Sequence, residues 1–347
     1  MSNAPRPRVL ICEDSRTYAA ALQRVIEHDG QLDVVGIARS AEDAIAAVGR
    51  LTPDLVTMDI ELPGMSGIEA VERIMGVAPV PILVLSGRVG PDSQASAAAL
   101  SAGALDALPK ASVDLLDPGG AGADAFRRRL TLMSGTRVIR HPRGGRDRPA
   151  TRVNGSTRPA RAIGVCSSMG GPQALLELLG SLPGSFPLPI LIAQHITIGF
   201  ADGLAEWLDA SVPLPVRIGR AGETVGRGVW LAPDDAHMLL EPSGTLALRQ
   251  GTSSDRNVPS GDVLLCSLAA TLGRDAVAVV LTGMGRDGAE GIVAVRAAGG
   301  FTIAQDEATS AIYGMPRAAA ERGVDQVLSL TDIGTELCNL TLKDAQR

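Results

Sequence analysis

Residues 55–70 read LVTMDIELPGMSGIEA. A short apolar, β-branched run comes first, an aspartate (Asp59) closes it, Leu62-Pro63-Gly64 supplies a turn, and apolar residues then recur at helical spacing. Strand, acidic end, turn and helix make one βα unit. The same unit recurs on both sides. Strands are predicted over 8–12, 33–38, 55–58, 80–85 and 104–108, with helices over 15–28, 41–50, 67–75, 91–102 and 124–133. Five βα units in succession predict a parallel, doubly wound sheet. A second block starts at Arg161, with strands predicted over 162–167, 189–194, 228–232, 276–282 and 301–304 and helices over 172–179, 203–208, 262–272, 289–297 and 315–321. The expected fold class is α/β, with two doubly wound domains.

Size and composition agree. A chain of 347 residues exceeds what one core usually organises, and 45% apolar residues supply material for two. With aromatics at 2%, the cores must be built from Ala, Val, Leu and Ile, which suits strands buried on both faces. The net charge of −6 argues against a general nucleic-acid binder. Cys12, Cys166, Cys266 and Cys338 are single and widely spaced, without disulfide or zinc spacing, and point to a reducing cytoplasm. Residues 1–8 hold no apolar signal core, and no apolar run reaches the ~18 residues a membrane span requires, so no direct membrane insertion is expected.

The periodicity fails between residues 135 and 160, where Arg137, Arg140, Arg143, Arg146, Arg148, Arg152 and Arg158 face a lone Asp147. Such composition reads as a solvated linker, with a basic arm for an acidic surface as the alternative. The expected division is therefore 1–134, linker 135–160 and 161–347.

In an open parallel sheet, residues that end neighbouring strands converge on one rim. In the first block these are Glu13, Asp14, Asp59, Ser86 and Lys110. Crowded carboxylates call for a hard cation such as Mg²⁺, and an aspartate beside it can accept a phosphoryl group while a lysine and a hydroxyl stabilise the added charge. Asp59 is the expected acceptor. Taken singly, Asp14 reads as a helix cap and Asp59 as a turn opener.

In the second block, Ser168-Met169-Gly170-Gly171-Pro172 leaves a strand and enters a helix, where free backbone N–H groups can hold an oxyanion or cradle a phosphate. His195, ending the next strand, can take the serine proton; Asp287, on the loop LTGMGRDGAEG at 281–291, can orient the ring. His237, in APDDAHM at 232–238, is a second candidate base. The order Ser, His, Asp and the S-x-G-G turn differ from the α/β-hydrolase pattern.

The first ~130 residues resemble response-regulator receiver domains through Glu13-Asp14, the Asp59 segment VTMDIELPGMSGIEA, Ser86 and Pro109-Lys110. From about 161 to 330 the chain resembles the catalytic domain of the CheB family of chemotaxis protein-glutamate methylesterases. Ser168–Pro172, Gln194-His195, APDDAHM, PSGDVLL at 259–265, LTGMGRDGAEG and AQDEATSAIYGMPRAA at 304–319 carry that likeness. The resemblance implies a flavodoxin-like receiver phosphorylated on Asp59 with Mg²⁺ at Glu13, Asp14 and Asp59, and with Ser86 and Lys110 contacting the phosphoryl group. It implies a Rossmann-like esterase domain with Ser168 as nucleophile, His195 as base, Asp287 as orienting acid and the N–H groups of Met169 and Met284 as oxyanion hole, with no cofactor for the esterase reaction. The implied partners are methylated chemoreceptor cytoplasmic domains, as substrate, and a chemotaxis histidine kinase, as phosphodonor, with recruitment to chemoreceptor arrays; glutamine deamidation is a second implied activity. Glu13 stands where the receiver family usually has an aspartate, and Ala107 where an aromatic often reports the switch. Cys166 replaces a usual glycine, Ser167 doubles the serine, and Met169 replaces a smaller residue, so its bulk is expected to narrow substrate access. Two other readings stand beside this one: a phosphorylation-gated binding module without catalysis, and a nucleic-acid-binding regulator acting through the arginine-rich linker.

Overall fold

The computed structural model describes residues 5–87, 93–136, 160–252 and 254–342. The chain forms two compact units, Met1–Gly145 and Arg146–Arg347. The arginine-rich segment lies almost wholly outside the described residues.

In the first unit, strands β1 (Arg8–Cys12), β2 (Asp33–Ala38), β3 (Leu55–Asp59), β4 (Ile82–Ser86) and β5 (Asp106–Pro109) alternate with helices α1 (Arg16–Glu27), α2 (Ala41–Leu51), α3 (Gly67–Val77), α4 (Ser93–Ser101) and α5 (Ala121–Ser134). The sheet is parallel, in the order β2-β1-β3-β4-β5. Every residue of β3 and β4 is buried, as expected of inner strands covered on both faces. The helix starts are set locally. Ser15, Ser40 and Ser66 each accept an N–H from the first turn of α1, α2 and α3, and at Ser66 the Glu69 carboxylate returns a bond to complete a capping box. Asp14 is therefore not the cap of α1.

The second unit contains strands β6 (Ala162–Ser167), β7 (Pro189–Gln194), β8 (Val216–Ile218), β9 (Gly228–Leu231), β10 (Ala236–Leu240), β11 (Leu246–Gln250), β12 (Ala276–Val280), β13 (Phe301–Gln305) and β14 (Gln326–Leu328). Its helices are α6 (Gly171–Gly180), α7 (Ala201–Ser211), α8 (Gly261–Leu272), α9 (Ala289–Ala297), α10 (Met315–Glu321) and α11 (Leu330–Leu342). Seven strands form a parallel sheet in the order β14-β13-β12-β6-β7-β9-β8, and β10 pairs with β11 as a separate antiparallel hairpin. Short β8 and β14 at the sheet edges, the hairpin and α11 are additions to the predicted elements.

Alternation along the inner strands divides side chains between two faces. Ile163, Val165, Ile190, Ile192, Val277 and Val279 face one core, while Ala162, Cys166, Leu191, Ala193, Ala276, Ala278 and Val280, several of them small, face the other. Small residues on the second face let α8 approach closely. A Cβ on Gly164 of β6 would lie 2.6 Å from a Leu265 methyl, and one on Gly291 of α9 would lie 2.5 Å from Leu265 Cβ. This close approach matters because the start of α8 supplies part of the site.

Strand order reverses between β1 and β3 in the first sheet and between β6 and β12 in the second. Open α/β sheets place their ligands outside the carboxyl ends of the strands at such reversals.

Candidate active site

At the first reversal, Glu13 follows β1, Asp59 ends β3, and Lys110 follows β5. Lys110 Nζ lies 2.7 Å from both Glu13 Oε2 and Asp59 Oδ2. The second oxygen of Asp59 accepts the N–H of Glu61 at 3.0 Å, so this residue both opens the turn and faces the rim. Glu13 and Asp59 are buried, Asp14 is exposed, and one ligand oxygen from each of the three lies within 4.8 Å of the others. Burial pushes the Glu13 carboxyl up despite the bond from Lys110. The same burial opposes the charge on Lys110, yet its bonds to Asp59 and Glu13 win and raise its pKa. Three hard carboxylate oxygens around one point suit a divalent cation that takes carboxylate, water and phosphate oxygens. Ser86 is buried at the end of β4, the strand beside β3. Gly67 is required here: a Cβ would sit 1.9 Å from the Asp59 carbonyl oxygen.

At the second reversal, Ser168 follows β6 and the loop carrying Met284 and Asp287 follows β12. Ser168 N–H donates to the Thr282 carbonyl at 3.0 Å, which joins the two loops. Thr282 Oγ1 donates to the Met169 carbonyl at 3.0 Å and accepts the N–H of Ile312 at 2.8 Å, so the AQDEATSAIYGMPRAA segment pins the Met284 loop from behind. On the other side β6 pairs Ser167 with Gln194, and His195 N–H donates to the Ser167 carbonyl at 2.9 Å, which sets His195 beside Ser168.

The tandem serines have different fates. Ser167 is buried with its hydroxyl on Gln194 Oε1 at 2.6 Å, while Gln194 Nε2 donates to the carbonyls of Ser168 and His195 at 2.8 and 2.7 Å. Ser168 is partly exposed. Gly171 gives Gln194 its place, because a Cβ there would stand 2.0 Å from Oε1. Sequence reasoning assigned Gln194 no task of its own.

His195 Nε2 and Asp287 Oδ2 are 2.6 Å apart. Asp287 also accepts Ser260 Oγ–H at 2.9 Å and the N–H groups of Gly261 and Asp262 at 2.6 and 3.0 Å. The N-terminus of α8 thus wraps the carboxylate. Burial acts to raise the Asp287 pKa, but the bonds from His195 and from the Asp262 and Gly261 amides overcome it and hold the carboxyl well below the usual range. Asp262 is pushed up to about 6, by burial first and by the Asp287 charge next, against the bond from Gly291 N–H. With Nε2–H bonded to Asp287, Nδ1 is the basic nitrogen of His195.

The structure therefore joins His195 to Asp287 and sets Ser168 alongside. Among the described residues, the Ser168 hydroxyl makes no hydrogen bond to the ring; such bonds are often loose in free enzymes and tighten with substrate. Neither Met169 N–H nor Met284 N–H has a hydrogen-bond partner among the described residues. Met169 is only 4% exposed, so its side chain packs inward, whereas Met284, at 42%, faces solvent. His237 is fully buried, and its Nδ1 accepts the N–H of Ser260. Asp234, which sequence reasoning also passed over, accepts the N–H groups of Gly199, Phe200 and Ala201 at 2.8, 3.0 and 3.1 Å and so fixes the loop that follows His195.

Residues 163–337 match the CheB methylesterase family, and residues 9–116 match the response regulator receiver domain. Over 97% of its length the chain is 41% identical to protein-glutamate methylesterase/protein-glutamine glutaminase 4 of Myxococcus xanthus (strain DK1622), 97% of which is covered. It is 42% identical, over 98% of its length and 99% of the relative, to protein-glutamate methylesterase/protein-glutamine glutaminase 2 of Anaeromyxobacter dehalogenans (strain 2CP-C). The crystal structure of the Thermotoga maritima CheB methylesterase catalytic domain superposes with a TM-score of 0.51 at 35% identity, over 52% of this chain and 99% of that one.

Proposed function

The chain belongs to the CheB methylesterase family, and we propose that it hydrolyses glutamate γ-methyl esters on chemoreceptor cytoplasmic domains, and deamidates glutamines there, under control of phosphorylation at Asp59. The observation that carries this reading is a partly exposed serine, Ser168, beside an imidazole whose far nitrogen is tied to Asp287 at 2.6 Å. Ser168 Oγ attacks the ester carbonyl as His195 Nδ1 takes its proton. The oxyanion is held by the N–H groups of Met169 and Met284. Methanol departs with the proton from His195, leaving an acyl-serine; water, activated by the same nitrogen, then releases the free carboxylate and restores the hydroxyl. For a glutamine side chain the leaving group is ammonia. Asp287 stays ionised throughout and stabilises the imidazolium.

On the other rim, Glu13, Asp14 and Asp59 would hold Mg²⁺, which supplies charge neutralisation for an incoming phosphoryl group. Asp59 Oδ is the acceptor, and Lys110 and Ser86 contact the added phosphoryl oxygens. A chemotaxis histidine kinase is the donor. Among the described residues no helix is long and apolar enough to cross a membrane. Domain limits of 1–134, 135–160 and 161–347 fit this division of labour.

Methanol release from methylated receptor fragments, with and without acetyl phosphate and Mg²⁺, tests the proposal. Release that rises with the phosphodonor supports it. Labelling of Asp59 without any release would make the chain a gated binding module instead.

A further inference from the structure

The APDDAHM segment has no part in the reaction above, although its histidine is fully buried on β10. His237 Nδ1 accepts the backbone N–H of Ser260 at 3.1 Å. Ser260 caps α8: its hydroxyl accepts Val263 N–H at 3.4 Å and donates to Asp287 Oδ1 at 2.9 Å. Asp287 in turn holds His195. An unbroken run of hydrogen bonds leads from one imidazole to the other through a serine and a carboxylate.

The direction of the first bond defines the ring. A nitrogen that accepts an N–H carries no proton, so neutral His237 is the Nε2–H tautomer. Nε2 is 3.4 Å from Asp255 Oδ2, within ion-pair distance but without hydrogen-bond geometry, and Asp255 also lies 3.7 Å from Arg249, the cross-strand partner of His237 on β11. A histidine that merely filled space would have no need to satisfy the N–H of the residue whose hydroxyl points at Asp287.

The geometry points to His237 as a positioning residue of the esterase: through Nδ1 it fixes Ser260, and through Ser260 it fixes the Asp287 carboxylate against His195. This rests on the reading of Ser168, His195 and Asp287 as the reacting set. His237 is sealed from solvent, so its loss acts on turnover and leaves substrate affinity alone. Asparagine at 237 can present an amide oxygen near the place of Nδ1, glutamine presents it nearer Nε2, and leucine fills the volume without an acceptor.

The test uses the full chain and methanol release. H237L is expected to lose roughly 10–100-fold in kcat, the range for stranding a buried polar group, with KM within about twofold. H237N should recover most of that loss and H237Q little. In a Ser260→Ala background, H237L should cost almost nothing further, since the hydroxyl through which the fixed Ser260 backbone reaches Asp287 is already gone. Equal losses in H237N, H237Q and H237L, or additive losses with Ser260→Ala, would overturn the proposal. If H237L does not fold, the native protein still decides. With ¹⁵N-histidine labelling of the four histidines, H237N assigns the His237 signals, which must show a protonated Nε2 and a bare Nδ1. A proton on Nδ1 contradicts the proposal. Wild-type kcat in H237L, with Ser168→Ala inactive, sinks the positioning role alone; normal turnover in Ser168→Ala removes the underlying reading as well.

Discussion

Two rims of the molecule follow one topological rule and are wired in opposite ways. Each lies where strand order reverses in a parallel sheet, and each centres on an aspartate. Asp59 is held by a mobile charge: the Lys110 ammonium, on a flexible stem, bridges it to Glu13. Asp287 is held by fixed dipoles, the amides and hydroxyl at the start of α8. A lysine can change partners when charge is added. Helix amides cannot move without unwinding the helix, so they keep one carboxylate in one place. The first arrangement suits a site that must register a charge, and the second suits a site that must present the same geometry at every turnover.

The largest effect is expected where the fixed rim meets its nucleophile. Ser168→Ala should lower methanol release by at least about 10³-fold, because members of such a set act as a unit, while acetyl phosphate still labels Asp59. Comparable loss in Ser167→Ala alone would shift the chemistry to the buried serine. Next comes metal dependence. EDTA should abolish labelling and the phosphodonor-stimulated increment but spare the unstimulated rate, measured in the same assay; an unstimulated rate that also collapses would mean that the rims are not distinct.

A third comparison is steric. Gly67→Ala drives a Cβ against the Asp59 carbonyl, and Gly171→Ala drives one against Gln194 Oε1. Each should destabilise its own unit by about 1–3 kcal/mol, read by denaturant unfolding, with the Gly171 variant losing esterase activity and the Gly67 variant losing phosphorylation.

The smallest effect is electrostatic. The folded-state pKa of Asp262 lies above that of a free carboxyl, so the native state favours its protonated form. Its contribution to stability is fully present below the free value, near 3.9, and is lost as pH rises through about 6. Asp262→Asn keeps an acceptor for Gly291 N–H and removes the charge beside Asp287. It should therefore stabilise the esterase unit at pH 8 by on the order of 1 kcal/mol, a figure reduced for solvent screening, and hardly at all at pH 4, as thermal melts would show. Asp287 has the opposite sign: its depressed pKa contributes stability above the free carboxyl range that disappears as pH falls toward the folded value.

Much of this was legible in the chain because strong periodicity and strand-end acids coincide. The inner strands read correctly since each is an apolar run bounded by turns. The edges did not: β8 is the three residues Val216–Ile218, close to Pro213 and Pro215, too short to show alternation. The start of α11 was written as a cap, Ser329 before Asp332, but Gly334 and several threonines dilute its helical pattern; Gly334 is there because a Cβ would sit 2.2 Å from Ser181 Oγ. At the sites, nucleophile, base and acid could be proposed from strand ends, whereas the supports could not. Ser260 reads as a cap for α8, and nothing local says that its hydroxyl also serves Asp287, 27 residues on. Gln194, Asp234 and His237 act across the fold in the same way.

In the proposed division of labour, Ser168 does the chemistry beside a His195–Asp287 pair held by the fixed dipoles of α8, and the acidic rim only regulates it. Methanol release from methylated receptor fragments by the wild type and by Ser168→Ala, each with acetyl phosphate and Mg²⁺, tests it most directly. Stimulated release is expected of the wild type, with a loss of at least about 10³-fold in the variant while Asp59 is labelled equally in both; release by Ser168→Ala at near the wild-type rate would take the nucleophile's role from Ser168.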